Sequence, residues 1–342
     1  MYGGSASLFQ RLLQKKFCRY AAAVCFLLLV FCWANNTSLF CEVPNGAPKI
    51  LAHRGLAQTF PAANLKWDTN TASIIYPPEH EFIENTLKSI QAAFACGAEI
   101  VEFDLRLTKD QELAVFHDFL VDYRTDGHGN VADLTMDELR RLDVGYGYTA
   151  DGGVTFPLRG KGIGLMVTFA EVLKAFPDRQ FLVHLKDGGA DFGREVVKVI
   201  KSTSDLNVKN LSFYGDHGAV AEVKRAFPQV KILSMETLKK AVIAYTLLGW
   251  TGYIPESMRE TQVFMPVRYA RYLWGWPTKF MQRMASVSTR VVLVRGAGKW
   301  SEGFDREEDL RQLPAGYTGY IWTNRADRIA PLLSRVSAGD SQ

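Results

Sequence analysis

Four short stretches of the chain carry an apolar run up to ionisable residues: Leu51-Ala52-His53-Arg54-Gly55, Val101-Glu102-Phe103-Asp104, Val115-Phe116-His117-Asp118 and Val183-His184-Leu185-Lys186. A strand alternates its side chains between two faces, so Glu102 and Asp104 share one face, as do His184 and Lys186. Two carboxylates a few ångström apart repel unless a cation sits between them, and oxygen donors of this kind suit a hard divalent metal. Each residue alone has an ordinary structural use. A strand-end His is commonly a hydrogen-bonded core residue, and a Glu-x-Asp pair is commonly a solvated edge. Four such endings in one chain point to a shared site.

The elements that must position these residues are short β-rich runs alternating with helical patterns from residue 49 onward, the signature of repeated βα units around a parallel sheet. Strands are predicted at Lys49 to His53, Glu99 to Leu107, Gln180 to Lys186, Asn210 to Tyr214, Lys231 to Met235, Gln262 to Val267, Arg290 to Val294 and Tyr317 to Thr323. A further run, Glu112 to His117, follows the second strand after four residues only, too few for a parallel crossover. It must fold back as an antiparallel hairpin. The Gly-rich stretch from Asp126 to Gly164 extends that excursion, with a small helix capped by the Thr135 to Glu138 spacing, and a further helix runs from Thr168 to Phe176 until Pro177 stops it. Eight strands and their helices in about 290 residues fit a single α/β domain of the (β/α)8, or TIM-barrel, type, whose chemistry lies at the C-terminal strand ends. A doubly wound dinucleotide fold is the alternative, but no GxGxxG follows the first strand.

The ordered set LAHRG, IENT and VEFDLRLTKDQELAVFHD resembles the signature of the glycerophosphodiester phosphodiesterase family, and the resemblance extends over about residues 49 to 330. It implies that His53 and His117 are the general acid and base, that Glu102 and Asp104 bind a divalent cation, and that Arg54 grips the phosphate with Glu84 beside it. The resemblance further implies that Lys186 serves as a phosphate or transition-state cation. One departure stands out. Where the family pattern carries a third acidic ligand two residues before this Lys, the chain has His184, which leaves open whether Mg²⁺, Ca²⁺ or Mn²⁺ is held there and whether His184 itself ligates. The stretch from Gln58 to Ile83 is longer than the usual spacing and could lid the pocket.

The remaining features concern location. The 342 residues are 47% hydrophobic and 22% charged, an ordinary globular composition with formal charge +4. Arg11, Lys15, Lys16 and Arg19 account for four positive charges, so the body sums to about zero and offers no footprint for nucleic acid. These basic residues (segment 1–19) precede an apolar run, read as a signal anchor over 20–41 that places the catalytic domain (42–336) outside the cytoplasm. Cleavage near Ala34 and export is the alternative, and 337–342 is a polar tail. Aromatic and basic residues interleave from Tyr245 to Met284, a second stretch suited to a membrane interface or, equally, to helices packing aromatics inward. The expected activity is metal-dependent hydrolysis of a glycerophosphodiester or lysophospholipid. Two alternatives share the barrel, a phospholipase D-type cyclising transferase and a silent binding barrel, although retention of both His residues argues against the latter.

Overall fold

The structure, a computed structural model, describes residues 4–42, 45–62, 65–66, 68–296 and 302–339. A long helix α1 (Gly4–Asn36) precedes the body. The body begins with β1 (Lys49–Ala52), α2 (Leu87–Ala95), β2 (Ile100–Leu107), β3 (Leu113–Val115), α3 (Met136–Arg140), α4 (Phe169–Ala175) and β4 (Gln180–Leu185). It continues through α5 (Gly189–Ser202), β5 (Leu211–Gly215), α6 (His217–Ala226), β6 (Lys231–Ser234), α7 (Met235–Leu248), β7 (Gln262–Pro266) and α8 (Val267–Ala270). The last elements are α9 (Thr278–Ser286), β8 (Arg290–Val294), α10 (Glu307–Leu310), β9 (Tyr320–Thr323) and α11 (Ala326–Gly339). The helix expected at Thr135 opens on the reciprocal Thr135 and Glu138 capping bonds, and α4 opens on the same device at Thr168 and Glu171.

Eight parallel strands run in the order β6-β5-β4-β2-β1-β9-β8-β7, and β3 pairs antiparallel with β2 at the side. This is the (β/α)8 barrel anticipated from the chain, nearly closed. No ladder joins β6 to β7 among the described residues; there the Thr261 hydroxyl donates to the Ile232 carbonyl at 2.6 Å. Strands end earlier than expected at the chemically interesting positions. β1 stops at Ala52, because Arg54 and Gly55 both take positive φ, and β4 stops at Leu185. The helix α11 continues through 337–339 of the segment read as a polar tail, and residues 340–342 lie outside the described residues.

Alternation along the strands sorts the apolar side chains into two layers. Leu51, Ile100, Leu182, Tyr214, Phe264, Val292 and Trp322 fill the barrel interior, whereas Val101, Phe103, Val183 and Phe213 pack outward beneath the helices. A separate cluster, including Phe116, Val121, Leu139 and Tyr148, gives the excursion after β3 its own small core. Parity therefore turns Glu102, Asp104 and His184 into the barrel, where the lateral register sets Asp104 beside His184 and His184 beside Tyr214.

Candidate active site

Glu102 and Asp104, in the middle of β2, are fully buried. The Glu102 carboxyl accepts from the Arg54 backbone N–H at 3.0 Å and from the Tyr214 hydroxyl at 2.7 Å. Asp104 accepts from the Asn85 amide at 3.0 Å, lies 3.3 Å from Arg54 Nε, and is 2.8 Å from His184 Nδ1. Burial and the neighbouring Asp104 push the Glu102 carboxyl well above its ordinary range. Burial acts the same way on Asp104, but His117 and Arg54 outweigh it and hold that carboxyl well below the usual range. Glu102, Asp104 and His184 each bring one donor atom within 4.8 Å of the others. Two carboxylates with a deficit of positive charge and an adjacent imidazole form a donor set that fits a divalent cation. His184 stacks flat on the Tyr214 ring at 4.0 Å, which holds its plane.

The two other histidines are held alike. The His53 Nδ1–H donates to Asn324 Oδ1 at 2.7 Å, its ring lies 4.5 Å from the Trp322 ring, and its Nε2 accepts from Arg54 Nε at 3.1 Å. The Asn324 amide is fixed in turn by Asp305, which accepts from its Nδ2 at 2.8 Å. The His117 Nδ1–H donates to Asp118 at 2.6 Å, and its Nε2 accepts from Lys186 Nζ at 2.9 Å. Both imidazoles are neutral at pH 7. Burial and then Arg54 hold His53 well below its ordinary value, while burial, Arg54 and Lys186 bring His117 down to about 4. Burial also lowers Lys186, with Asp104 opposing.

A cavity of about 500 Å³ opens over these groups, lined by His53, Arg54, His117, His184, Lys186 and Tyr214 and, on its far rim, by Ser234 and Met235. Beneath it runs a chain of alternating charge. Arg54 donates to Glu84 at 2.7 Å, Glu84 lies 3.5 Å from Arg124, and Arg124 Nε lies 2.8 Å from Asp118, an ion pair off the line of a hydrogen bond. Of the site residues singled out in the sequence, His53, Arg54, His117, His184 and Lys186 line this mouth, and Glu84, Glu102 and Asp104 lie buried behind them in contact with that lining. None of the described residues of the stretch from Gln58 to Ile83 lines the mouth. Its described residues Thr59, Phe60, Pro61, Ala62, Tyr76 and Glu79 line a second cavity of about 410 Å³ near Asp305 and Arg328.

Residues 53–246 match the family model described as the Glycerophosphoryl diester phosphodiesterase family. The chain belongs to this family. A glycerophosphodiester phosphodiesterase of Caldanaerobacter subterraneus subsp. tengcongensis is 33% identical over 153 residues, 44% of this chain and 59% of that protein. One from Bacillus altitudinis is 27% identical over 217 residues, 60% and 75% of the two chains. The chain therefore spans under two thirds of the first relative's length. A crystal structure of the glycerophosphodiester phosphodiesterase from Agrobacterium tumefaciens superposes with a TM-score of 0.55 at 17% identity, covering 83% of this chain and 99% of that one. An Oleispira antarctica phosphodiesterase in complex with the product sn-glycerol-3-phosphate superposes at 0.54 and 17%, covering 85% and 97%. At such identities the likeness is one of fold.

Asn85 and Asp118 lie inside the quoted motifs but were given no role, and Arg124, Tyr214 and Asn324 are partners that were not read from the sequence. Asn324 follows the apolar end of β9 as His53 follows β1, so the same strand-end signal could have found it. Arg124 sits in the excursion after β3, where no such periodicity exists.

Proposed function

We propose that the protein hydrolyses a phosphodiester of the glycerophosphodiester or lysophospholipid class, releasing the headgroup alcohol and a phosphomonoester with the help of a divalent cation held by Glu102, Asp104 and His184. The observation that carries this reading is that His53 and His117 turn their Nε2 atoms toward one cavity, each beside a cation, Arg54 and Lys186 respectively. The cation, when bound, offsets negative charge on the phosphoryl oxygens. Arg54 and Lys186 bind the phosphate anion between them, and Glu84 holds the Arg54 guanidinium in place. His117 is backed by a carboxylate, Asp118, and His53 by an amide, Asn324. The leaving oxygen takes its proton from the Lys186–His117 pair, in which the Lys186 ammonium supplies the proton to His117 Nε2 and Asp118 stabilises the imidazolium that passes it on, while His53, a neutral acceptor at Nε2, takes the proton of the attacking water.

The test is turnover of glycerophosphocholine, glycerophosphoethanolamine and lysophosphatidylcholine by the purified full chain in Mg²⁺, Ca²⁺ and Mn²⁺, with product identification. Glycerol 3-phosphate or lysophosphatidate is expected; a cyclic phosphate would assign the transferase chemistry instead. Replacing either His by Ala should cost about 10²- to 10⁴-fold in kcat. His117→Ala should recover with a nitrophenyl leaving group, which needs no proton, whereas His53→Ala should not. Equal recovery by both contradicts the division of roles.

The same reading places residues 42–336 as the catalytic domain behind a membrane anchor at 20–41, with the body extracytoplasmic and the 245–284 stretch near the bilayer. In its support, Leu13–Asn36 is 24 residues long with a mean hydropathy of 2.0, enough to cross a bilayer of about 30 Å at 1.5 Å per residue.

A further inference from the structure

The exposed large apolar side chains of the body are unevenly placed. Met235, Ile243, Leu247, Leu248, Tyr269 and Tyr272 are all exposed, whereas none is exposed among the described residues 164–234 or beyond 272. Ile243 and Leu247 are one turn apart and 61% and 66% exposed, in line with Lys239, Lys240 and Glu236 on the outer stripe of α7. A barrel helix facing water normally presents polar residues there, as α5 does with Asp191, Arg194, Lys198 and Lys201.

Two other observations say what covers this stripe. The first is continuity with the apolar helix. Just beyond the C-terminus of α7, the Trp250 carbonyl accepts from the Asn35 and Asn36 side chains at 2.9 and 2.8 Å, and Phe31 meets the Trp250 ring edge-on at 6.4 Å. The Trp274 indole N–H donates to the Thr246 carbonyl at 2.9 Å, which brings the Tyr269 to Tyr272 loop alongside. The second is charge. Lys239, Lys240, Arg268 and Arg271 are exposed around the stripe, against Glu236, which is already paired with Lys240 at 2.7 Å. The N-terminal residue of α7, Met235, lines the rim of the catalytic cavity, and the helix spans about 21 Å from there to the end of α1.

We propose that the outer face of α7, with the Arg268 to Tyr272 loop, docks on the surface of an anionic phospholipid bilayer, the one that α1 enters. The barrel then lies on its side, and the cavity mouth opens at headgroup level, where a phosphodiester carried by a membrane lipid reaches it without leaving the interface. Apolar side chains set among lysines and arginines give the combined burial and charge attraction that interfacial helices use. This orientation rests on the reading of α1 as a membrane helix.

The experiment places a photo-crosslinking benzoylphenylalanine in the full chain at Leu27, Ile243, Leu247, Tyr272 and, as a water-facing control, Lys198, in bilayer discs of phosphatidylcholine with or without phosphatidylglycerol. Lipid adducts are expected at 27, 243, 247 and 272 and not at 198, with those at 243, 247 and 272 increasing with phosphatidylglycerol. Adducts at 27 but none at 243 and 247, or adducts there to a second copy of the chain, overturn the docking and leave the anchor standing. No adduct at 27 overturns both. None of these readouts requires turnover, so failure of the phosphodiesterase reading shows separately, as a lack of hydrolysis. In the Ile243→Glu/Leu247→Glu double variant, KM for vesicle-borne lysophosphatidylcholine should rise by about tenfold or more, since burying each side chain contributes roughly that factor. KM for soluble glycerophosphocholine should hold. An unchanged lipid KM also overturns the proposal.

Discussion

At the residue scale, the cavity rests on a buried series of ion pairs running from Arg54 through Glu84 and Arg124 to Asp118. Arg124 has the most consequential position, since it lies between Glu84 and Asp118 and donates to the Tyr148 hydroxyl at 3.2 Å, with almost no solvent access. Removing it leaves two buried carboxylates short of a partner, so Arg124→Met should lower stability by about 3–5 kcal/mol, measured by denaturant titration. The pH dependence has a definite sign. Burial alone would raise the Asp118 carboxyl, but Arg124 and His117 hold it well below the usual range, and Arg124 and Arg54 likewise hold Glu84 down. A depressed folded pKa contributes stability above the unfolded value, near 4, and that contribution is lost as pH falls. Wild type should therefore lose stability below about pH 4 more steeply than the Met variant; parallel acid profiles would contradict this account. His184 carries a second expectation. An imidazole beside two carboxylates favours Mn²⁺ or Zn²⁺ relative to Mg²⁺, so His184→Glu should shift calorimetric affinity toward Mg²⁺ and Ca²⁺. Unchanged relative affinities would remove His184 from the ligand set.

At the element scale, the turn after β1 decides whether the strand ends converge. Arg54 and Gly55 have φ of 60° and 79°, which turns the chain sharply enough for the Arg54 N–H to reach Glu102. Asn85, φ 60°, does the same before α2 and presents its amide to Asp104. Left-handed backbone at non-Gly residues costs of order 1–3 kcal/mol each and persists only when surroundings enforce it. Gly55 has no room for a side chain, since a Cβ there would lie 2.6 Å from Ser89 Oγ and 2.8 Å from the Ser89 carbonyl oxygen. Gly55→Ala should therefore cost about 1–3 kcal/mol by chemical denaturation and reduce turnover through displaced Arg54. Wild-type stability and rate together would show that the turn tolerates the shift.

At the scale of the whole molecule, α1 is joined to the barrel and does not merely precede it. Arg283 is buried at the junction and donates to Asn36 Oδ1 at 3.0 Å and to the Asn35 carbonyl at 2.9 Å, as well as to the Tyr245 hydroxyl and the Gly249 carbonyl. One guanidinium therefore satisfies the last turn of α1 and the turn after α7 together. Arg283→Met should leave these acceptors short of a donor and cost about 2–4 kcal/mol in the full chain. It should also speed proteolysis between residues 37 and 48; an unchanged digestion pattern would mean that the junction is held by other contacts.

The eight strands, the hairpin after the second, and the meeting of His53, Arg54, Glu102, Asp104, His117, His184 and Lys186 were all legible in the sequence. Strand parity and the rule that strand ends share one barrel mouth are local and repetitive, so they survive translation into three dimensions. The individual roles drawn for those residues rest on chemistry still to be measured. Tertiary structure alone decided the partners: Asn324 behind His53, Tyr214 beneath His184, and Arg124 between Glu84 and Asp118. These contacts join residues up to 271 positions apart, and no periodicity in one segment encodes what a distant segment places against it. The same holds for the outward apolar stripe of α7. In the sequence an apolar position says only that burial would be favourable, and packing determined that Ile243 and Leu247 face away from the core while Tyr245 faces into it.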